Sequence, residues 1–292
     1  MIGNKVKTIL ITGINGFLGR NLERKLSPNY RVIGLTRSMR QSYQCSSSDI
    51  HVFSDKIIKK IFEENTIDVV VHLATLYNTT AFDYSELVES NILLPVKLLS
   101  YARNFGTPVF INCDTFFNSK NNDSGYLSHY TLSKRHSLEW LRSLNKDIVL
   151  INMKIFHMYG PMDSDRKFVN WLIKEMIAGN PISLTDGEQV RDFIFVDDVV
   201  DAFEVVINHI DNMFLRFYEF EVGSGVGTKI REFVEICHYL CKTNSVLYFG
   251  SLPSRQGEDM NCISDNTQLR SLEWYPRHNI ESGVHKILSS LC

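Results

Sequence analysis

The sequence predicts an α/β fold, a doubly wound parallel sheet with a smaller C-terminal α/β domain. Three observations predict it. Apolar runs of strand length alternate with amphipathic stretches of helical period over the first half of the chain, a glycine-rich turn follows the first strand, and after about residue 165 the alternation gives way to shorter strands, turns and helices. Strands are expected at about 7–12, 31–36, 50–53, 68–73, 108–113 and 148–153, and helices between them at about 17–26, 55–64, 85–104 and 127–144. Ser54 reads as the N-cap of the second helix. The later part carries a helix at about 166–178, a short strand and turn in Val190-Arg-Asp-Phe-Ile-Phe-Val-Asp-Asp198, and a helix to about 209. Gly223-Ser-Gly-Val-Gly227 then reads as a loop, with Thr228 as the N-cap of a helix at 229–241. The expected domains are 1–165, to which 190–212 returns, and a second formed by 166–189 and 213–292.

The chain has 292 residues, 31 Lys+Arg against 33 Asp+Glu, and 44 % hydrophobic residues, enough apolar material for a substantial core. A net charge of −2 without a basic block leaves no electrostatic footprint for nucleic acid or a membrane surface. Apolar runs such as Asp68-Val-Val-Val-His-Leu-Ala74 fall far short of the ~20 residues a membrane-spanning helix needs. Met1-Ile-Gly-Asn-Lys-Val-Lys7 leads straight into a strand without the apolar core of a secretory signal, so a cytoplasmic protein is expected. The six cysteines are scattered, and Cys237-x3-Cys241 has no second pair nearby, so neither a disulfide framework nor a metal site is expected. Cys113 stands apart from the rest as a candidate site residue.

Thr12-Gly13-Ile-Asn15-Gly16-Phe17-Leu18-Gly19 sits where the first strand ends and a helix begins. Gly13 permits the tight turn, Gly16 lets the backbone approach a pyrophosphate, and Gly19 allows close packing of helix on strand. The helix N-terminus offers its unpaired N–H groups to the anion. A Rossmann cofactor site is therefore expected. At the end of the second strand, where an NAD site usually has a carboxylate, the chain has Thr36-Arg37-Ser38, with Arg40 close behind. A guanidinium and hydroxyls suit the 2′-phosphate of NADP, which a carboxylate would repel, unless Arg37 is simply a solvated surface residue.

Tyr130 and Lys134 are four residues apart and share one face of the helix expected at 127–144. The ammonium lowers the phenol pKa by its charge and can hold a cofactor ribose, making Tyr130 a general acid or base. Tyr126 stands one turn earlier but has no lysine four residues beyond it.

With these residues the chain resembles the extended short-chain dehydrogenase/reductase family, which contains nucleotide-sugar epimerases, dehydratases and 4-ketoreductases. The resemblance spans essentially the whole chain. It takes in the glycine loop, His72-Leu73-Ala74, Asn91, Tyr130 with Lys134, Tyr159-Gly-Pro161, Arg191-Asp-Phe193 before Val196-Asp-Asp-Val199, and Arg255-Gln-Gly-Glu258. It implies cofactor contacts at Leu73, Ala74, Asn91 and His157, and a small domain for a nucleotide diphosphate sugar. It further implies substrate contacts at Thr75, Tyr77, Asp114, Thr115 and Phe168, with Arg191 and Arg255 meeting the diphosphate or nucleotide. Members often dimerise through the helices at 85–104 and 127–144, so a homodimer is expected.

Departures from the family narrow the reading. Cys113 stands where the family usually has Ser or Thr donating to the sugar C4 oxygen, and a thiol is a weak donor. Either Thr115 takes over with its hydroxyl, or Tyr130 works with less help. Asp114-Thr115 lacks the glutamate that follows the aspartate in 4,6-dehydratases, which argues against dehydration. Lys154 and His157 replace the more usual Arg and Asn, and His157 reads equally well as a buried core histidine. His72-Leu-Ala-Thr-Leu-Tyr77, Phe110-Ile-Asn-Cys-Asp-Thr-Phe-Phe117 and His157-Met-Tyr-Gly-Pro-Met-Asp163 look like the ketoreductases that make CDP-abequose and CDP-paratose in bacterial O-antigen pathways. What this implies is NADPH-dependent reduction of the C4 ketone of CDP-4-dehydro-3,6-dideoxy-D-glucose, a small-molecule CDP-sugar substrate. The catalytic set is then Tyr130, Lys134, Thr115 and Cys113. Two other readings stand beside it, a 4-epimerase with tightly bound NAD and a non-catalytic NADP-binding sensor or scaffold.

Overall fold

A computed structural model describes residues 6–38, 49–77, 84–119, 127–255 and 257–291. Arg40 and Tyr126 lie outside the described residues. In chain order the first elements are β1 Thr8–Thr12, α1 Phe17–Leu26, β2 Arg31–Thr36, β3 Ile50–Val52, α2 Asp55–Glu64, β4 Val69–His72, α3 Tyr84–Val88, α4 Leu94–Asn104, β5 Val109–Thr115, α5 Ser128–Leu144 and β6 Val149–Ile155. After them come β7 His157–Tyr159, α6 Phe168–Ile177, β8 Ile182–Ser183, β9 Val190–Phe195, α7 Val196–His209, β10 Phe217–Val222, β11 Gly227–Lys229, α8 Ile230–Cys241, β12 Leu247–Tyr248, β13 Asn261–Cys262, α9 Thr267–Arg270 and α10 Ile280–Leu291.

The expected doubly wound sheet is present, with seven strands in the order β10-β6-β5-β4-β1-β2-β3. Strand β1 pairs in parallel with β2 and β4, and β4 with β5, so Thr12, His72 and Asn112 fall side by side in register. The reversal of strand order at β1 opens the crevice in which ligands of such sheets bind. Leu10, Ile33, Val70, Phe110 and Leu150 are buried in the centre of the sheet beneath Ile58, Phe62, Leu98, Leu99 and Leu141 of α2, α4 and α5. Burying each such side chain stabilises the fold by ~1.5–3 kcal/mol. As expected, Ser54 caps α2, its hydroxyl accepting from Ile57 N at 3.2 Å.

Three expectations are corrected. The helix expected at 85–104 is broken into α3 and α4 by a π turn over Glu89–Leu93. Pro95 has no N–H to return to the carbonyl four residues back, that of Asn91, and its ring crowds that carbonyl, so the helix widens there. Thr228 is not an N-cap. It lies in β11 opposite Arg191, and α8 opens at Lys229 without a side-chain cap.

The third correction concerns the domains. One compact unit comprises Met1–Asp123, Leu127–Lys154 and Phe203–Phe220, and the other comprises mainly Ile155–Ala202 and Glu221–Cys292. Residues 155–165 and 190–202, expected with the first domain, belong to the second. The reason is strand pairing: β9 pairs in parallel with β7 and β13 and antiparallel with β11, which builds a separate four-stranded sheet. Its core is aromatic, with Phe193 stacked on Phe233 at 4.0 Å between ring centroids and Tyr159 edge-on to Phe195 at 5.6 Å.

Candidate active site

In the first unit, the chain turns at Gly13, whose φ of +69° favours glycine, and a Cβ there would lie 2.8 Å from Ala74 N. At Gly19 a Cβ would come within 2.3 Å of the Gly13 carbonyl oxygen, so helix α1 lies against the turn as its spacing predicts. Gly16 N closes the turn on Gly13 O at 2.8 Å. Helix α1 then starts at Phe17 with no side-chain cap and no acidic residue in its first turn, so its N-terminal dipole favours an anion there. Leu73 and Ala74 are bound into the same corner. Leu73 N donates to Thr12 O at 3.3 Å, and Ala74 N to the Thr12 hydroxyl at 3.2 Å.

Asn15 Nδ2 donates to Thr36 Oγ1 at 3.1 Å and to Ser38 O at 3.2 Å, tying the glycine turn to the end of β2. Its amide shapes this edge of the site, and Arg37 and Ser38 beside it are exposed. A Cβ-free cradle at a helix N-terminus and a cation with no carboxylate at the end of β2 fit a pyridine dinucleotide. The described residues that would hold it are Gly13, Gly16, Phe17 and Leu18 at the pyrophosphate and Thr36, Arg37 and Ser38 at the adenosine end.

His72 is fully enclosed, with Nδ1 2.9 Å from the Thr12 hydroxyl. Burial, reinforced by the Lys134 charge, lowers its pKa to about 3, so the ring is neutral.

Tyr130 and Lys134 stand one turn apart on α5, both buried. Lys134 Nζ donates to the Cys113 carbonyl at 2.6 Å. The Tyr130 ring lies 4.9 Å from that of Tyr77, and Thr115 is among the groups surrounding its phenol. Thr115, Cys113 and Tyr77 thus surround Tyr130, while Lys134, one turn along α5, is tied to the Cys113 backbone. The expected lowering of the phenol pKa is corrected. Burial first, then the Cys113, Asp114 and Tyr77 groups, push it well above its ordinary value, opposed only in part by Thr115. Lys134 is directed at a backbone carbonyl, and the phenol is held as a proton carrier.

The π turn aims the Asn91 amide, expected at the cofactor, inward, where Oδ1 accepts from Leu76 N at 2.7 Å and Thr75 Oγ1 at 3.2 Å, while Nδ2 donates to Leu76 O and Ser133 Oγ at 2.9 Å each. Ser133 in turn donates to Tyr130 O at 2.7 Å. All four hydrogen-bonding positions of the Asn91 amide are used inside the protein, and it holds the Thr75–Tyr77 loop against the Tyr130 turn.

Asp114, expected at the substrate, likewise turns inward. Its oxygens accept from Thr115 N at 2.8 Å, Asn118 Nδ2 at 2.8 and 3.1 Å, and Asn152 Nδ2 at 3.0 Å. Asn152 also joins Asn112 at 2.7 Å and Glu219 at 2.9 Å, and Glu219 is paired with Lys154 at 3.0 Å. The sequence reading missed this buried network. Its signal was Asn112 and Asn152, each following an isoleucine within an otherwise apolar strand.

In the second unit, Arg191 is buried and firmly held. Nη1 donates to Val190 O at 2.9 Å and Asp259 O at 2.7 Å, and Nη2 to Glu258 Oε1 at 2.6 Å. Gln189 Nε2 holds the other Glu258 oxygen at 3.1 Å. Arg255 is exposed three residues before Glu258, whose N donates to the Arg255 carbonyl at 3.3 Å. His157 packs on Phe193, 6.0 Å between centroids, and its pKa is lowered to about 3 by burial and then by Arg191. Phe168 is half-buried at the edge of the aromatic core, 6.4 Å from Phe233.

Residues 9–217 match the NAD dependent epimerase/dehydratase family. The chain is 29 % identical to a CDP-abequose synthase of Salmonella typhimurium, covering 97 % of this chain and 98 % of that one. It is 32 % identical to the CDP-abequose synthase of Salmonella muenchen over 97 % of each. Among solved structures, the UDP-glucose 4-epimerase of Thermotoga maritima with UDP-glucose superposes with a TM-score of 0.82 at 22 % identity, covering 97 % of this chain and 98 % of that one. The UDP-glucuronic acid 4-epimerase of Bacillus cereus, in complex with UDP-glucuronic acid and NAD, also gives 0.82 at 21 % identity, covering 98 % and 100 %.

Proposed function

Since the chain belongs to the NAD dependent epimerase/dehydratase family, we propose that it is an NADPH-dependent 4-ketoreductase of a CDP-linked 3,6-dideoxyhexose, acting on CDP-4-dehydro-3,6-dideoxy-D-glucose to give CDP-abequose or CDP-paratose. The observation that carries this reading is a buried Tyr130 with Thr115 and Cys113 around it and Lys134, one turn along the same helix, held on the Cys113 carbonyl. The near full-length similarity to two CDP-abequose synthases supports the substrate, and Arg37 in place of a carboxylate supports NADPH.

When bound, the reduced nicotinamide supplies hydride to the ketone carbon. Tyr130 gives its proton to the C4 oxygen, and a phenol held protonated by its surroundings suits donation. The Thr115 hydroxyl, beside that phenol, would turn its one proton to the ketone oxygen and polarise it. Lys134 braces the end of β5 through the Cys113 carbonyl, and its ammonium would hold the cofactor ribose. Arg191 and Arg255 would meet the diphosphate, where a guanidinium already fixed in place loses little freedom on binding.

The protein is proposed to act in the cytoplasm, in O-antigen synthesis, as a homodimer joined through helices that expose Val88, Leu93, Leu132 and Trp140. No helix among the described residues is long and apolar enough to cross a membrane.

NADPH oxidation with CDP-4-dehydro-3,6-dideoxyglucose, followed by NMR of the product's H3–H4 couplings, tests the activity and assigns the C4 configuration. Stoichiometric release of NADP+ is expected. Purification with firmly held NAD, and interconversion of two C4 epimers without net cofactor turnover, would instead identify an epimerase.

A further inference from the structure

Asp114 is the one carboxylate on the strand that carries Cys113 and Thr115, and it is 3 % exposed. A carboxylate that moves protons needs an oxygen open to substrate or water. Here four hydrogen bonds occupy the two oxygens, and the donors come from three places: the next residue's backbone, Asn118 in the short 3-10 turn Phe116–Ser119, and Asn152 on β6. The bond to Thr115 N fixes the backbone where the strand becomes the turn. Thr115 Oγ1 then accepts from Phe117 N at 3.4 Å. Thr115, one of the groups around the Tyr130 phenol, is therefore held through its backbone by Asp114. Asn152 is anchored in turn by Asn112 and by the Glu219–Lys154 pair, so the carboxylate sits at a node joining β5, β6 and β10.

We propose that Asp114 is a positioning residue for proton donation, holding the Thr115 hydroxyl and the end of β5 in register with the Tyr130 phenol. This rests on the ketone-reduction reading above. Asn at this position would present an amide NH2 to Asn118 or Asn152, donor against donor, and release the turn while leaving the cofactor corner intact.

The test compares the wild-type protein with Asp114→Asn and Asn118→Ala, the second removing two of the four clamping bonds without touching the carboxylate. NADPH binding is measured by fluorescence titration, and kcat and KM with CDP-4-dehydro-3,6-dideoxyglucose. A misplacement on the order of 1 Å costs about 100-fold, so D114N is expected to lose about 10- to 100-fold in kcat, with NADPH Kd and keto-sugar KM within about threefold of wild type. N118A is expected to show the same split with a smaller loss, and it decides the matter if D114N does not fold. Wild-type kcat in either folded variant, or a loss confined to KM or to NADPH binding, overturns the inference. A wild-type protein that does not reduce the keto sugar overturns the reading beneath it, and the inference with it.

Discussion

In the proposed reduction Tyr130 is the residue on which the chemistry turns, and its surroundings set the direction in which it would work. Burial beside Cys113, Asp114 and Tyr77 holds the phenol protonated through the neutral range, so kcat for reduction is expected to be flat from about pH 6 to 9. A pH–rate profile with an ionisation near 7 would contradict this. Tyr130→Phe is expected to lower kcat by about 100- to 10,000-fold while leaving NADPH binding within a small factor of wild type, read by fluorescence titration. Arg37→Ala is expected to raise the KM for NADPH by about tenfold or more and to leave that for NADH little changed, because a fork of hydrogen bonds to a phosphate is lost. At this scale the sequence was informative about spacing and silent about direction. Three glycines at fixed offsets and a Tyr–Lys pair on one helical face can be read from position alone. Whether Asp114 or Asn91 points at a ligand or into the protein depends on partners such as Asn152 and Leu76, which the fold brings near.

Among the elements, the break between α3 and α4 has the largest consequence. The π turn adds one residue to its turn, so a regular helix would set residue 91 out of phase with the helix beyond it by about 100°, away from the loop it now secures. Removing the amide by Asn91→Ala leaves Leu76 N–H and C=O without partners in a buried setting and is expected to cost about 2–3 kcal/mol, measured as a shift in the urea unfolding midpoint. Helical period and length were legible over 85–104, and Pro95 was visible in the sequence. A proline four residues beyond an asparagine marks a place where a turn can widen, but only the loop that the asparagine reaches shows why it does. The reassignment of β9 has a similar origin. Its apolar alternation announced a strand but not its neighbours, and pairing with β7, β11 and β13 is a long-range choice.

For the whole molecule, two enclosed histidines tie stability to pH. His72 and His157 are both held near a pKa of about 3, against 6.5 for an unperturbed imidazole. Below pH 6.5 the unfolded chain binds two protons that the folded chain refuses until about pH 3. Their contribution is therefore complete above pH 6.5 and declines as the pH falls through that window, at up to about 1.4 kcal/mol per pH unit for each histidine. Chemical denaturation between pH 7 and 5 is expected to show this slope, reduced by one proton in a His157→Asn variant. No dependence over that interval would contradict the neutral assignment.

The second unit also contains two buried aspartates whose donors arrive late in the chain. Asp192 accepts from Ser224 N and Oγ, Gly225 N, and Ser264 N and Oγ at 2.6–3.1 Å. Asp198 accepts from Arg277 N, His278 N and His278 Nδ1 at 2.9–3.1 Å. The first unit has its last segment once Phe220 has been made, whereas these carboxylates wait for Ser264 and His278. At about 5–20 residues per second of synthesis, that is an interval of several seconds. During it the sheet under the cofactor corner has all its strands, while the other half still carries two solvated charges that it is built to enclose. Ribosome-arrested chains ending short of Ser264 are expected to be cut by protease within 155–202 while 6–154 resists. The order in which the two halves mature on the ribosome is thus set by where the donors to two aspartates lie along the chain.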